Sequence, residues 1–436
     1  MTGTDPRLAA PIDAESAERL AGRGLRYGLV GDDDAALDAW CQALARGFHD
    51  ERPDANEERA ERARAWFRRQ RVTGVWPEGA TMPVATTSSW ITPLALPGGA
   101  PIEMWSISAV TVAATHAGMG IARALLEGEL RTAAAAGLAV AGLTVSESTL
   151  YGRYGFGIAT QAASLEFDAT RVRWAGPEPE LALEFVDVAT AAADFERLHA
   201  EQAAATPGDA RARHRFWHRA TGADEPDRAE TRKRRFVRAL AGGEPVGIAM
   251  FTLERDESDF THHILAVRAL AAPGVEARAA LWRFLLSQPL VRTVTAELIA
   301  PDDPVRWWIG DWRGLRQRIE DHQWLRVLDA PRALAARGYA ARERIALAVD
   351  DDLGFAAGEL VLDARAESPA VERVEGTSAE PLRLELGASA LASLWLGAFS
   401  ASALAAAGLV RGDAASIAAA DRLFAVARAP FLSTWY

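Results

Sequence analysis

The sequence predicts a mixed α/β (α+β) chain of three regions. A strand, a glycine-bearing loop, a helix and a second strand follow one another over residues 107–145. The same order returns between His263 and Leu298, where "LAVRALAAPGVEARAALWRFL" resembles "VTVAATHAGMGIARALLEGEL" (residues 110–130) in length and pattern, as a diverged internal duplication would. Past Trp324–Tyr339 the character changes again, to short strands followed by Ala-rich helices, over a stretch the size of one small domain. A chain of 436 residues is too long for one core, and two or three domains are expected.

Each element has a local reason. Leu37, Trp40, Leu44 and Phe48 recur at helical spacing within Ala35–Arg71, which reads as one or two amphipathic helices. Thr73–Leu96, rich in Val, Thr and Trp, reads as strands and a turn. Ile102–Val112 is a strand, Thr115–Gly120 a loop and Ile121–Ala136 a helix that Gly137 ends. Leu138–Val145 is the next strand, and the three glycines within Ser146–Gly157 make that stretch a loop. Leu181–Val188, Pro245–Leu253, His263–Val267 and Val291–Leu298 read as strands, and Ala277–Leu286 as a helix. In the third region strands are expected near Ile345–Val349, Gly358–Leu362 and Leu382–Leu386.

Composition narrows the function. The net charge of -11 disfavours a nucleic-acid partner and suits an ordinary, mildly acidic soluble protein or one that takes a cationic amine. A single cysteine, Cys41, excludes an internal disulfide and multi-cysteine metal sites, and sits in a helical pattern as a core residue. No apolar run reaches the roughly 18 residues of a membrane span. A cytoplasmic location is the expectation. His214 and His218, at i and i+4, have no third ligand, so no metal is expected. The Arg232–Arg235 cluster reads as a solvated helix face.

Two loops carry chemistry. Gly118 and Gly120 stand between a strand and a helix N-terminus, where free backbone N–H groups and the helix dipole suit a pyrophosphate. Arg123 adds a charge one turn on. "SESTLYGRYGFGIAT" (146–160) follows the next strand, beyond the sheet end where α/β folds hold ligands, and presents Tyr151 and Tyr154 among glycines.

The stretches "VTVAATHAGMGIARALL" (110–126), "SESTLYGRYGFG" (146–157), "LRVLDAPRALAARGY" (325–339) and "RAPFLSTWY" (428–436) together resemble the enhanced intracellular survival (Eis) family of N-acetyltransferases, within the GNAT superfamily. The resemblance implies a catalytic GNAT module over 1–165, a degenerate second GNAT-like module over 166–323 and a sterol-carrier-protein-like domain over 324–436. It implies acetyl-CoA as co-substrate. Val110, Thr111 and Val112 would meet the acetyl and pantetheine arm, and Gly118, Met119, Gly120, Ile121, Ala122 and Arg123 the pyrophosphate. Ser146 and Glu147 would line the cofactor. Tyr151 falls on the family's general acid, and the C-terminal carboxylate, here on Tyr436, on its general base. Asp50 and Trp66 fall near substrate-binding positions. His116 is followed by Ala117-Gly118-Met119 where the family has arginines, so the cofactor would lean on backbone N–H groups and Arg123. The second loop, "RALAAPGVEAR", has a proline that removes a donor, and no acetyl-CoA is expected there.

The implied acceptors are small amines: aminoglycosides, arylalkylamines or lysine side chains. A homohexamer is implied as well. The contrasting reading is an acyl-CoA- or lipid-binding protein with inactive modules.

Overall fold

The computed structural model describes residues 5–50, 56–255, 259, 262–366 and 368–436. The strands run β1 Leu25–Leu29, β2 Arg71–Pro77, β3 Ala85–Leu94, β4 Ile102–Val112, β5 Val140–Thr144, β6 Gly157–Ile158, β7 Gln161–Asp168, β8 Ala182–Phe185, β9 Arg234–Ala241, β10 Glu244–Glu254, β11 His263–Ala271, β12 Val291–Ile299, β13 Leu315–Asp321 and β14 Gln323–Val327. The helices of the first region are α1 Ala14–Ala21, α2 Asp34–Gly47, α3 Glu57–Phe67 and α4 Ile121–Ala135; α5 Val188–Ala205 and α6 Phe216–Thr221 follow. Asp33, Asn56 and Asp187 cap α2, α3 and α5 with side-chain oxygens that satisfy first-turn N–H groups.

Two seven-stranded sheets result, ordered β1-β2-β3-β4-β5-β14-β6 and β13-β7-β12-β11-β10-β9-β8. Within each, one parallel pair, β4–β5 or β11–β12, is crossed over by a helix, α4 or Val275–Leu286. The duplication read from the sequence is therefore visible as two copies of one topology. The copies exchange a strand. β7 pairs with β12 and β13 in the second sheet, and β14 pairs with β5 and β6 in the first. The division placed after residue 165 thus falls inside β7, and the one placed after 323 falls inside β14. The Arg232–Arg235 stretch is not one helix face: a short helix ends at Arg232, and Arg234 and Arg235 open β9.

A third, five-stranded sheet with its helices fills Ala330–Phe424. It shares one continuous apolar core with the first sheet, in which Met104, Val140 and Leu325 meet Leu347, Leu391 and Trp395. A Cβ on Gly157 would lie 1.9 Å from the carbonyl oxygen of Ser389, so the docking needs glycine there. The other face of the first sheet carries α4. Here Glu129 accepts from Arg71, Ser89 and Trp105 at 3.1, 2.7 and 3.2 Å, and the Arg71 and Glu129 side chains are fully buried. That satisfied network fixes the helix on β2, β3 and β4.

Candidate active site

The site begins where β4 and β5 part. They pair from Met104↔Val140 to Ile107↔Leu143, and β4 then runs on alone, beside β3, to Val112. A bulge marks the departure: Ala109 has φ 56°, the β3–β4 register shifts between Thr86 and Ser88, and the Thr86 hydroxyl donates to the Ala109 carbonyl at 2.7 Å. The N–H of Ala113 donates to Val84 on the β3 side. Successive strand N–H groups alternate in direction, so those of Val112 and Val110 face the opened edge. Thr111 points its side chain into the structure, against the Thr86 hydroxyl at 2.6 Å.

Gly118 and Gly120 both have positive φ, 77° and 70°, and α4 starts at Ile121 with no side chain capping it. Its first N–H groups, through Ala122, are therefore open to an anion. Arg123 is exposed; its Nε donates to Glu127 at 2.6 Å, leaving the outer nitrogens free. A Cβ on Gly120 would lie 2.7 Å from the guanidinium of Arg23. Arg23 is exposed and makes no ion pair among the described residues. Only the fold brings it to this loop, which has no arginine directly after His116. Met119 packs beside Ile121 in the cluster beneath the loop. Loop, dipole and two arginines fit a pyrophosphate.

Ser146 and Glu147 are exposed just beyond β5. Tyr151 is buried in the apolar cluster on the α4 side of the sheet, its ring 6.2 Å from that of Phe156. Burial, and secondarily the Glu147 carboxylate, push its hydroxyl up, while the Ser146 hydroxyl works against them. Tyr151 is a protonated phenol at neutral pH.

Tyr436 reaches the same edge from the opposite face. Its ring packs 5.3 Å from Trp90, its hydroxyl accepts from Gln323 at 2.6 Å, and a Cβ on Gly142 would come within 3.1 Å of it. A terminal carboxyl oxygen accepts from the hydroxyl of Thr144, the last residue of β5, at 3.2 Å. The preceding residues are tied one by one. Phe431 N–H donates to Pro207, and Ser433 N–H to Asp209 at 3.1 Å. His199 bonds the Ser433 hydroxyl at 2.8 Å, and His322 the Thr434 carbonyl at 3.0 Å. Burial pulls both imidazoles down to about 4. It pushes Asp209 up to about 7, against the hydrogen bonds from Ser433 and Ala210.

On the Tyr436 face a cleft of about 1180 Å³ opens between α3, β3 and residues 211–234. Trp66 and Trp90 line it, but a cation already occupies both rings: the Arg213 guanidinium lies 4.3 Å from the Trp66 centroid and 4.0 Å from that of Trp90. Asp50 is exposed beyond α2, whose Gly47 abuts Thr111, and is not among the residues lining this cleft. Thr144, Trp90 and Arg213 carry no signal in the sequence, since neither spacing nor a motif ties them to the loops.

The second sheet opens in the same manner, after Val267↔Ala296, and a cavity of about 470 Å³ lies there, but polar groups of its loop are met from within. The Gln202 carbonyl accepts from Ala272 N–H at 3.0 Å and from Arg278 at 2.9 Å, and Arg278 also donates to Asp303 at 2.7 Å. Among the described residues no three His, Cys, Asp or Glu side chains converge as metal ligands, and no helix is long and apolar enough to cross a membrane.

Comparison with known proteins agrees with this architecture. Residues 33–159 and 210–327 each match an acetyltransferase (GNAT) domain, and residues 330–433 a sterol carrier protein domain. The chain is 32% identical over 403 residues to an uncharacterised N-acetyltransferase of Streptomyces griseus, covering 90% of this chain and 95% of that one. It is 29% identical over 327 residues to the N-acetyltransferase Eis of Mycobacterium bovis, covering 73% and 77%. In fold it is similar to the crystal structure of Eis1 from Mycobacterium abscessus, with a TM-score of 0.79 over 94% of this chain and 100% of that one at 24% identity. A GCN5-related N-acetyltransferase from Anabaena variabilis gives a TM-score of 0.78 over 94% and 100% at 21% identity. With two modules of this topology and a terminus led back to the opened edge of the first, the chain belongs to the Eis family of GNAT N-acetyltransferases.

Proposed function

We propose that the enzyme uses acetyl-CoA to acetylate a primary amine by direct attack at the opened β4–β5 edge, with the carboxylate of Tyr436 as base and Tyr151 as acid. The observation that carries this reading is the tail. A frayed terminus would leave the carboxylate in solvent, whereas here a chain of hydrogen bonds from Phe431 onward delivers it to Thr144 at the mouth of the opening.

The two faces divide the work. From the α4 face, the N-terminal N–H groups of α4 with Arg23 and Arg123 hold phosphate, and Val110 lies along the arm of the donor. From the other face, Tyr436 receives the amine. An α-carboxylate is ionised at neutral pH and is a weak base, so it orients the ammonium and takes its proton through a water as the nitrogen lone pair attacks the thioester carbon. The Val112 N–H donates to the oxygen as it becomes an oxyanion. When the C–S bond breaks, the Tyr151 hydroxyl donates to the departing sulfur, whose thiol has an ordinary pKa of about 8.5. No covalent enzyme intermediate is needed. Cys41, half-buried and pushed up to about 11 by its burial, has no part in it.

The donor site lies once per chain, in the first module. The acceptors to screen are aminoglycosides, arylalkylamines and lysine-containing peptides. A cytoplasmic homohexamer belongs to the same reading and is tested by light scattering of the purified protein. The decisive measurement is thiol release from acetyl-CoA by the native chain and by one extended with three glycines. The extension keeps every side chain of the tail and moves the carboxylate. Normal turnover by the extended enzyme with the preferred acceptor would remove Tyr436 from the mechanism.

A further inference from the structure

The cleft that ends on Trp90 is basic, although the chain as a whole is acidic. Nine arginines line it against five carboxylates. Most of those carboxylates are already engaged. Glu225 accepts from Arg59 and Arg62 at 3.0 and 2.8 Å, Asp224 from Arg215, Glu230 from Lys233 at 2.9 Å and Asp5 from Arg7 at 2.7 Å. Only Glu196, exposed at the rim, has no ion pair among the described residues. Two of the lining arginines are the reverse. The guanidinium groups of Arg213, half-buried against Trp66 and Trp90, and of Arg219, 5.3 Å from the Trp66 centroid, make no hydrogen bond or ion pair among the described residues. Burial, and then the charge of Arg219, push Arg213 down from its ordinary value, yet an arginine in a protein keeps its proton. A half-buried cation with an unused fork of N–H donors is a costly arrangement that an anion relieves.

We propose that the acceptor of this enzyme is an amine that also carries a carboxylate, which Arg213 and Arg219 hold in the cleft while the amine stands at Tyr436. The inference rests on the acetyl-transfer reading above and names its substrate class. The aromatic rings position the guanidinium by its face and leave its edge for the bidentate contact that carboxylate geometry matches. Trp90 joins the two ends, since Arg213 lies over its ring and the ring of Tyr436 packs perpendicular to it. An all-cationic polyamine would meet like charge in this cleft.

The test uses the full-length enzyme and a matched pair, 4-(2-aminoethyl)benzoate and its methyl ester, with spermine as a third acceptor. A charge-assisted contact of the ordinary strength gives the acid an advantage of about tenfold or more in kcat/KM over the ester. Arg213→Gln and Arg219→Gln should each shrink that ratio, Arg213→Lys should restore it only in part, and the ester should be little affected. An ester or spermine preferred by the native enzyme, or a ratio unchanged in both glutamine variants, overturns the proposal. Calorimetric titration of the same pair separates it from the acetyl-transfer reading. Tighter binding of the acid, lost in Arg219→Gln, supports the carboxylate site even if no acceptor releases thiol, an outcome that would sink only the chemistry. Equal binding of acid and ester by the native chain sinks the site.

Discussion

The two GNAT modules open a parallel strand pair in the same way and then differ in what meets the opening. In the first, the loop carries Gly118 and Gly120 in left-handed conformations and leads into a helix start that nothing caps. In the second, Pro273 has no N–H to offer, and Gln202 from α5 takes up the Ala272 N–H and Arg278. The fold supplies a wedge-shaped opening in both. Whether the opening is a site depends on whether its polar groups are left for a ligand or satisfied from within.

The sharpest way to break the comparison is at the acid. Tyr151→Phe should keep the fold and the affinity for acetyl-CoA and lower kcat by about 10²–10⁴. A rate within twofold of native on every acceptor would remove the role. If Tyr151 only packs against Phe156, the change appears in the melting temperature instead.

Deleting Trp435 and Tyr436 removes the carboxylate held at Thr144 and the ring packed on Trp90. Turnover should drop by about 10² or more, as for loss of a general base, with acetyl-CoA binding unchanged because the donor site lies on the other face. Loss of cofactor binding together with turnover would show that the tail supports the sheet rather than the reaction.

The contrast between the loops is smaller in energy and more direct. Gly120→Ala places a side chain at φ 70° and against Arg23, at a cost of about 1–2 kcal/mol, so acetyl-CoA should bind about tenfold more weakly. Gly274→Ala, at φ -89°, should leave that affinity alone. Calorimetry of the native chain should give one site. A stoichiometry of two would show that the second opening is competent after all.

The smallest effect is on pH. His199 and His322 hold the tail as neutral imidazoles with values near 4, against about 6.5 in the unfolded chain. Below pH 6.5 the unfolded chain binds protons that the folded one refuses, so their contribution is whole above 6.5 and lost as the pH falls toward 4. Asp209, raised to about 7, has the opposite sign and loses stability as the pH rises from about 4 to 7. The melting temperature of a His199→Gln, His322→Gln double variant should therefore fall less between pH 6.5 and 4 than that of the native protein. A parallel decline in both would exclude the histidines as the acid-sensitive pair.

Local pattern was enough for much of this molecule. The strand Ile102–Val112 matches its reading, and Ile121–Ala135 emerged within one residue of its own, because a strand, a glycine turn and an amphipathic helix each have a short-range signature. The same is true of Val291–Ile299 and Gly358–Asp363. The exchange of β7 and β14 was not legible, since an edge strand reads the same whichever sheet it joins. The Arg232–Arg235 cluster was misread for a related reason: charge runs say that a segment is solvated, not whether it is helix or strand. Trp66, singled out as a candidate aromatic wall, lines the cleft, and nothing in its neighbourhood along the chain foretold that Arg213 would cover it.

By itself, then, the sequence determined the duplicated module, the glycine-bearing loop before α4, the Tyr151 loop and an apolar terminus unlike a frayed tail, all properties of short, continuous stretches. The tertiary structure alone decided which loop has its polar groups met from within, where the terminal carboxylate rests and what sign of charge lines the cleft. Those depend on pairs such as Arg23 with Gly120, Thr144 with Tyr436, and Arg213 with Trp66 and Trp90, which the chain separates widely and only packing joins. Burial raises the cost of an unpaired charge, so a solvated arginine in the sequence becomes a recognition group only where the fold removes its water.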